Sequence, residues 1–183
     1  MLQANGLITV RPGHGVFVAD YASANEQPFS RWESQYNYRV EELFEARLTI
    51  EPLAAARAAT RAEQHDLQAL ATTLVDFERG VEKGDLAAMV LADSDFHSAV
   101  ARASRNRLFQ TMLRSVHYLL IESQRASLSP AERPRRVLAK HQAIHAAIVA
   151  GDAHAAELAM RDHLMTFVSE MGVINPAYME GSP

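Results

Sequence analysis

The stretch Asp85–Ala103, DLAAMVLADSDFHSAVARA, sets the fold class. Leu86, Met89, Val90, Phe96 and Val100 recur at the 3.6-residue period of an amphipathic helix, and Asp85 is placed to cap it after Gly84. Asp93 and His97 fall on the same face as these apolar residues, one turn apart. A carboxylate on an apolar stripe is costly to bury unless it is paired or coordinates something. The segment is therefore an inward-facing helix that carries polar chemistry into a core.

Outward from it, the same period repeats almost to the end of the chain. Upstream, Glu41 to Arg61 is rich in helix formers, with Leu43, Phe44, Leu48, Ile50 and Leu53 as its apolar residues and Pro52 expected to kink it. Ala62 to Lys83 follows, with Leu67, Leu70, Leu74 and Phe77 at helical spacing. Downstream, Asn106 caps a helix reaching about Ser127, and Pro130 and Pro134 break the chain. Val137 to Ala150 is a further helix ending at Gly151, and Asp152 caps a last one to about Met171. Before Ala19 the sequence differs. Ile8–Arg11 and Val16–Val18 read as short strands around the turn residues Pro12-Gly13-His14-Gly15, a β-hairpin. Met1 to Asn5 reads as the end of a helix stopped by Gly6, Asp20 to Pro28 as a linker and Phe29 to Tyr38 as a short helix. The expected architecture is all-α, an antiparallel bundle of six or seven helices preceded by a hairpin.

Composition narrows the chemistry. Of 183 residues, 48% are hydrophobic and 22% charged, enough to bury a core. The net charge of -4 gives no bulk signal for nucleic acid, so a DNA role has to rest on a motif. The absence of cysteine excludes disulfides, thiolate metal sites and a cysteine nucleophile. No apolar run has membrane-spanning length, which makes a cytoplasmic protein without membrane partners the expectation.

Eight histidines stand out in a chain without thiols. His141 shares a helix face with Val137, Leu138, Ile144 and Ile148. His163 sits among Ala156, Leu158, Met160 and Phe167. Asp93, His97, His141 and His163 thus lie on apolar faces of three helices, a donor set suited to a divalent zinc, nickel or manganese ion in a bundle core. Periodicity alone leaves this open. Each residue could instead be a hydrogen-bonded core polar group, and His145, one turn after His141, makes His141/His145 an alternative ligand pair. His65, His117 and His154 read as ordinary surface or structural histidines.

Three motifs now carry a family resemblance. Glu45 to Ala55 resembles the opening motif of the FCD effector domain, the C-terminal half of FadR-type GntR transcription regulators. Asp93-Ser94-Asp95-Phe96-His97, followed by Ala103 to Leu108, is similar to its central motif. His141 to Ile144, through Ala150-Gly151-Asp152 to Met160–Leu164, is similar to its closing motif. Gly6 to Val18 resembles the wing of the family's winged helix-turn-helix. The implied organisation is a winged helix-turn-helix remnant at 1–19, a linker at 20–28, the FCD domain at 29–175 and a tail at 176–183. The resemblance implies Asp93, His97, His141 and His163 as metal ligands and leaves His145 outside the set. It implies that Arg47 meets the carboxylate of a small organic acid effector, although an ion pair with Glu45 or Glu51 is equally open to it. It implies a homodimer, and weak, salt-sensitive DNA contacts through Arg11, Gly13, His14 and Gly15 of the wing. Specific operator binding is expected of a longer regulator, not of this chain alone. Two further readings stand beside the sensor: a metalloenzyme, disfavoured because no glutamate is evidently placed as a base, and a structural bundle without metal.

Overall fold

The computed structural model describes residues 8–11, 15–18, 39–119, 121–128 and 132–172. Among them, β1 (Ile8–Arg11) and β2 (Gly15–Val18) form an antiparallel pair in which Ile8 faces Val18 and Arg11 faces Gly15. Seven described helices follow: α1 (Val40–Arg61), α2 (Gln64–Lys83), α3 (Leu86–Ala103), α4 (Arg107–Leu119), α5 (Ile121–Leu128), α6 (Arg133–Val149) and α7 (Ala153–Met171). The expected helix end at Met1 to Asn5, the linker, the helix at Phe29 to Tyr38 and the turn residues Pro12 to His14 lie outside the described residues.

The helix boundaries follow local chemistry. The Asp85 carboxylate accepts the Ala88 N–H at 3.0 Å, and the Asp152 carboxylate accepts that of Ala155 at 2.9 Å. The Asn106 side-chain oxygen accepts from Leu108 at 3.0 Å and Phe109 at 3.3 Å, capping α4. Gly84 ends α2 in the left-handed region at φ 64, which lets the Asp85 N–H reach the Gly80 carbonyl at 2.9 Å. One boundary expectation needs correction. Pro134 does not break the chain; it sits in the first turn of α6, where its missing N–H has no intrahelical partner to lose. The helix expected from Asn106 to Ser127 is described as α4 and α5 on either side of Leu120, which lies outside the described residues. Pro52 lies within α1, which runs on to Arg61.

Helix α1 packs against α7, α3, α4 and α6, and α2 packs against α3 and α6. The larger core gathers Phe44, Leu70, Phe96, Leu113, Ile144, Met160 and Leu164, all at most 1% exposed. A smaller cluster of Phe77, Met89, Val90, Leu128 and Leu138 adjoins it. Leu158, expected on the buried side of α7, is 51% exposed, because it lies two residues from both Ala156 and Met160, about 200° around the helix from each. Leu53 faces outward for the same reason, two residues from Glu51 and from Ala55.

Gly80 is where α2 and α3 approach most tightly: a Cβ there would stand 2.9 Å from Met89 Cγ and 3.1 Å from the Met89 backbone nitrogen. Gly80→Ala gains about 1 kcal/mol of helix propensity but must push a backbone aside, an overpacking cost of about 1–3 kcal/mol. A urea melt is expected to show a net loss of about 1 kcal/mol, and a stabilised variant would mean that the two helices can separate freely at this point.

Candidate metal centre

The site is built from the inward stripes of three helices. From α3, Asp93 and His97 project one turn apart, with Phe96 packed beside them. Helix α6 contributes His141 and α7 contributes His163. The structure brings one ligand-capable atom from each of these four residues to within 4.8 Å of the others, and all four residues are buried. His97 Nε2 lies 3.2 Å from His163 Nε2 and 4.0 Å from Asp93 Oδ1, and His141 Nε2 lies 3.4 Å from the same carboxylate oxygen. His145 is half-buried and takes no part. Phe96 stacks on the His141 ring at a centroid distance of 4.1 Å, and Phe77 meets it edge-on at 5.7 Å, which fixes the plane of that imidazole.

Helix α1 supplies the second tier. Glu51, 1% exposed, receives the Arg47 Nε–H at 2.5 Å, sits 2.5 Å from His97 Nδ1 and 3.1 Å from His117 Nε2. Because Nδ1 of His97 faces a carboxylate, it carries the proton and donates it, leaving the Nε2 lone pair facing Arg47 Nη2 and His163 Nε2, each at 3.2 Å, with Asp93 Oδ1 further off. Burial alone would push the Glu51 carboxyl up, but Arg47, His97 and His117 outweigh it and hold the group well below the usual carboxylate range. Burial pushes His141 and His163 well below the ordinary imidazole value, and the positive charge around His97 and Arg47 adds to the effect. His117 is lowered too, chiefly by burial and against the pull of Glu51. On the far side, Gln124 donates to Asp93 Oδ2 at 2.7 Å and orients that carboxylate.

Three of these residues escaped the sequence reading. His117, read as a surface or structural histidine, is the structural kind, 2% exposed and bound to Glu51 beside the site; its position one turn after the buried Leu113 was the available signal. Glu51 is the buried glutamate beside the histidines that the sequence did not reveal, although it lies one turn from Arg47. Nothing local marked Gln124. Arg47 is ion-paired with Glu51, the second of the two roles expected for it, and it also lines the cavity that opens beside the histidines. Of the wing residues, Arg11 and Gly15 are paired across the hairpin, while Gly13 and His14 lie outside the described residues.

The donor set suits a cation. His141 is 0% exposed, and neither of its ring nitrogens has a hydrogen-bond partner. An orphaned imidazole in a core is costly. One positive centre would satisfy it, and three imidazoles with a carboxylate are appropriate ligands for such a centre.

The comparisons agree with this architecture. The FCD domain model matches residues 42–166, which span α1 to most of α7. The chain belongs to the FCD-domain regulators of the GntR family. It is 30% identical over 169 residues to the HTH-type transcriptional regulator LutR of Bacillus subtilis (strain 168), covering 89% of this chain and 76% of that one. It is 26% identical over 192 residues to the Uxu operon transcriptional regulator of Escherichia coli (strain K12), covering 99% and 74%. The solved structure of Streptococcus agalactiae GntR superposes with a TM-score of 0.57 at 27% identity, covering 90% of this chain and 75% of that one. These relatives are transcription regulators, not enzymes, and the metalloenzyme reading is set aside. Their FCD domain is the effector-binding part of a regulator. No helix among the described residues is long and apolar enough to cross a membrane.

The depressed imidazoles define a pH response. The unfolded chain takes up protons at His141 and His163 near pH 6.5, while the folded chain resists until well below that value. Their contribution to stability is therefore complete above about pH 6.5 and is lost as the pH falls toward the folded values. Denaturant unfolding with chelator present, from about pH 7.5 to about pH 5.5, should show the loss, at up to about 1.4 kcal/mol per pH unit for each histidine. A flat profile would contradict neutral buried imidazoles.

Proposed function

We propose that this chain is the sensing part of a FadR-type GntR regulator, which holds a divalent metal and a small organic acid and relays their binding to DNA. The proposed ligands are Asp93, His97, His141 and His163, and the proposed ion is zinc, nickel or manganese. The observation that carries this reading is the convergence of four buried donors from three helices, with His141 left without any other partner. A bound ion would supply a Lewis-acidic position for a carboxylate or hydroxyl oxygen of the effector. Everything else is the work of the protein's own groups. Glu51 fixes the His97 tautomer, Gln124 orients Asp93, and Phe96 and Phe77 hold the His141 ring. Arg47, at the edge of the cavity, offers its guanidinium fork to an effector carboxylate.

The proposed organisation keeps a winged helix-turn-helix remnant at 1–19, a linker at 20–28, the sensing domain at 29–175 and a tail at 176–183. The matched family segment falls inside the third of these. In the regulator, which we place in the cytoplasm as a homodimer, the wing residues Arg11, Gly13, His14 and Gly15 would approach the DNA backbone. The effector shifts the protein between arrangements only by its difference in affinity for them.

Metal analysis by mass spectrometry tests the centre. Wild-type protein should retain about one ion per chain, and the His97→Ala/His163→Ala double variant none, because two donors remain where about four are needed. A strong chelator should lower the wild-type melting midpoint and leave that of the variant unmoved. Equal metal content in the two proteins would refute the ligand assignment.

A further inference from the structure

The cavity beside the histidines has a second end that the sensing reading does not use. Its inner wall is Arg47, Asp93, His97 and His163; its outer wall is Arg133, Arg136, Lys140 and Glu170, from α6 and α7. At that outer end the protein's own carboxylate is gripped by two guanidinium groups. Arg133 Nε lies 2.9 Å from Glu170 Oε2, and Arg136 donates to Glu170 Oε1 at 2.9 Å. Arg133 also donates to the Glu170 backbone carbonyl at 3.0 Å. Lys140, on the same wall, is paired with Asp162.

We infer that Glu170 occupies the seat of a second acid group, and that the effector is a diacid whose distal carboxylate displaces Glu170 from Arg133 and Arg136. This rests on the organic-acid reading above and specifies its substrate class. Three observations carry it. First, the arrangement at the outer end is already a carboxylate bound to two arginine forks, the chemistry by which proteins recognise such groups. Second, the wall residues include four cations, Arg47, Arg133, Arg136 and Lys140, against two carboxylates, Asp93 and Glu170. A monoacid would engage the inner cations and leave the outer ones to Glu170. Third, the cavity is only about 30 Å³ while Glu170 holds its place, room for about one or two waters. An acid that reaches the outer end has to move that side chain.

The geometry favours a particular reach. Seven residues of α7 separate His163 from Glu170, about 10 Å along the helix axis. An acid of two or three carbons at the histidines does not span this, whether it carries one carboxylate or two; a diacid with a longer carbon chain does. The exchange is also physically easy. The Arg136 side chain is 55% exposed and that of Glu170 is 29% exposed, so their ion pair is partly hydrated and its loss costs little; the Arg133 side chain, at 16%, is more enclosed, and its bond has to be restored by the incoming carboxylate. A ligand carboxylate restores the same two hydrogen bonds to the arginines and frees Glu170 to solvent.

The test is calorimetric titration of the full-length zinc-loaded chain with a panel of monoacids and diacids of matched carbon number. Diacids are expected to bind about tenfold tighter than their monoacid counterparts, which corresponds to about 1.4 kcal/mol. Arg136→Ala should bring diacids down to the monoacid level, and Glu170→Gln, which removes the competing charge while keeping the side chain's size, should tighten diacids about threefold. Both positions are on the surface, and a thermal melt of each variant verifies that it is folded. If monoacids and diacids bind alike and Arg136→Ala lowers neither selectively, the diacid inference falls and the acid sensor stands. If no acid of either class binds the wild-type chain, both fall together.

Discussion

The domain depends on how a helical core can hold a buried negative charge. Glu51 has almost no contact with water, and its burial has to be compensated on every side. Arg47, His97 and His117 do this from α1, α3 and α4, so one carboxylate ties three helices by charge-assisted hydrogen bonds. That compensation also produces the site. By accepting the Nδ1 proton of His97, Glu51 decides which nitrogen of that ring keeps a lone pair, and hence which direction the donor set faces. The second carboxylate, Asp93, is held by Gln124 in the same way. Stability and ligand geometry are two readings of one network, and a change to Glu51 cannot affect one without the other.

The network also separates two roles for positive charge. Arg47 is neutralised inside by Glu51 yet still borders the cavity, so it contributes direction more than net charge to whatever binds there. The outer cations are balanced by Glu170 and Asp162, which are more exposed. The interior of the cavity is therefore a place where charge is fixed by burial, and its opening a place where charge is exchangeable.

Much of this was legible in the sequence, and the limit has a physical explanation. Helical period placed Asp93, His97, His141 and His163 on apolar faces, because a residue's face on its own helix is a local property. The caps at Asp85, Asn106 and Asp152 were legible for the same reason. Which faces meet is not local. Periodicity could not choose between His141 and His145, and it was the family resemblance that separated them. Glu51 and Gln124 were missed because their partners lie on other helices, 31 or more residues away in the cases of His97, His117 and Asp93. Leu158 was misplaced because an apolar residue two positions from the stripe looks in sequence like part of it. Pro134 was taken for a breaker because proline ends one helix and begins another with the same sequence signature.

The four candidate ligands of the centre come from the fifth, eighth and ninth of the nine described elements, α3, α6 and α7, and the supporting Glu51 comes from the third, α1. No half of the domain contains them all. During synthesis, the emerging chain holds Asp93 and His97 long before His163 exists, so for most of that time it has one carboxylate and one imidazole, a weak chelate at best. Only when α7 has docked on α1 do the remaining donors arrive. The centre is thus a record of completed assembly, and a chain arrested or clipped before its last helix would carry the motif in its sequence and none of its chemistry.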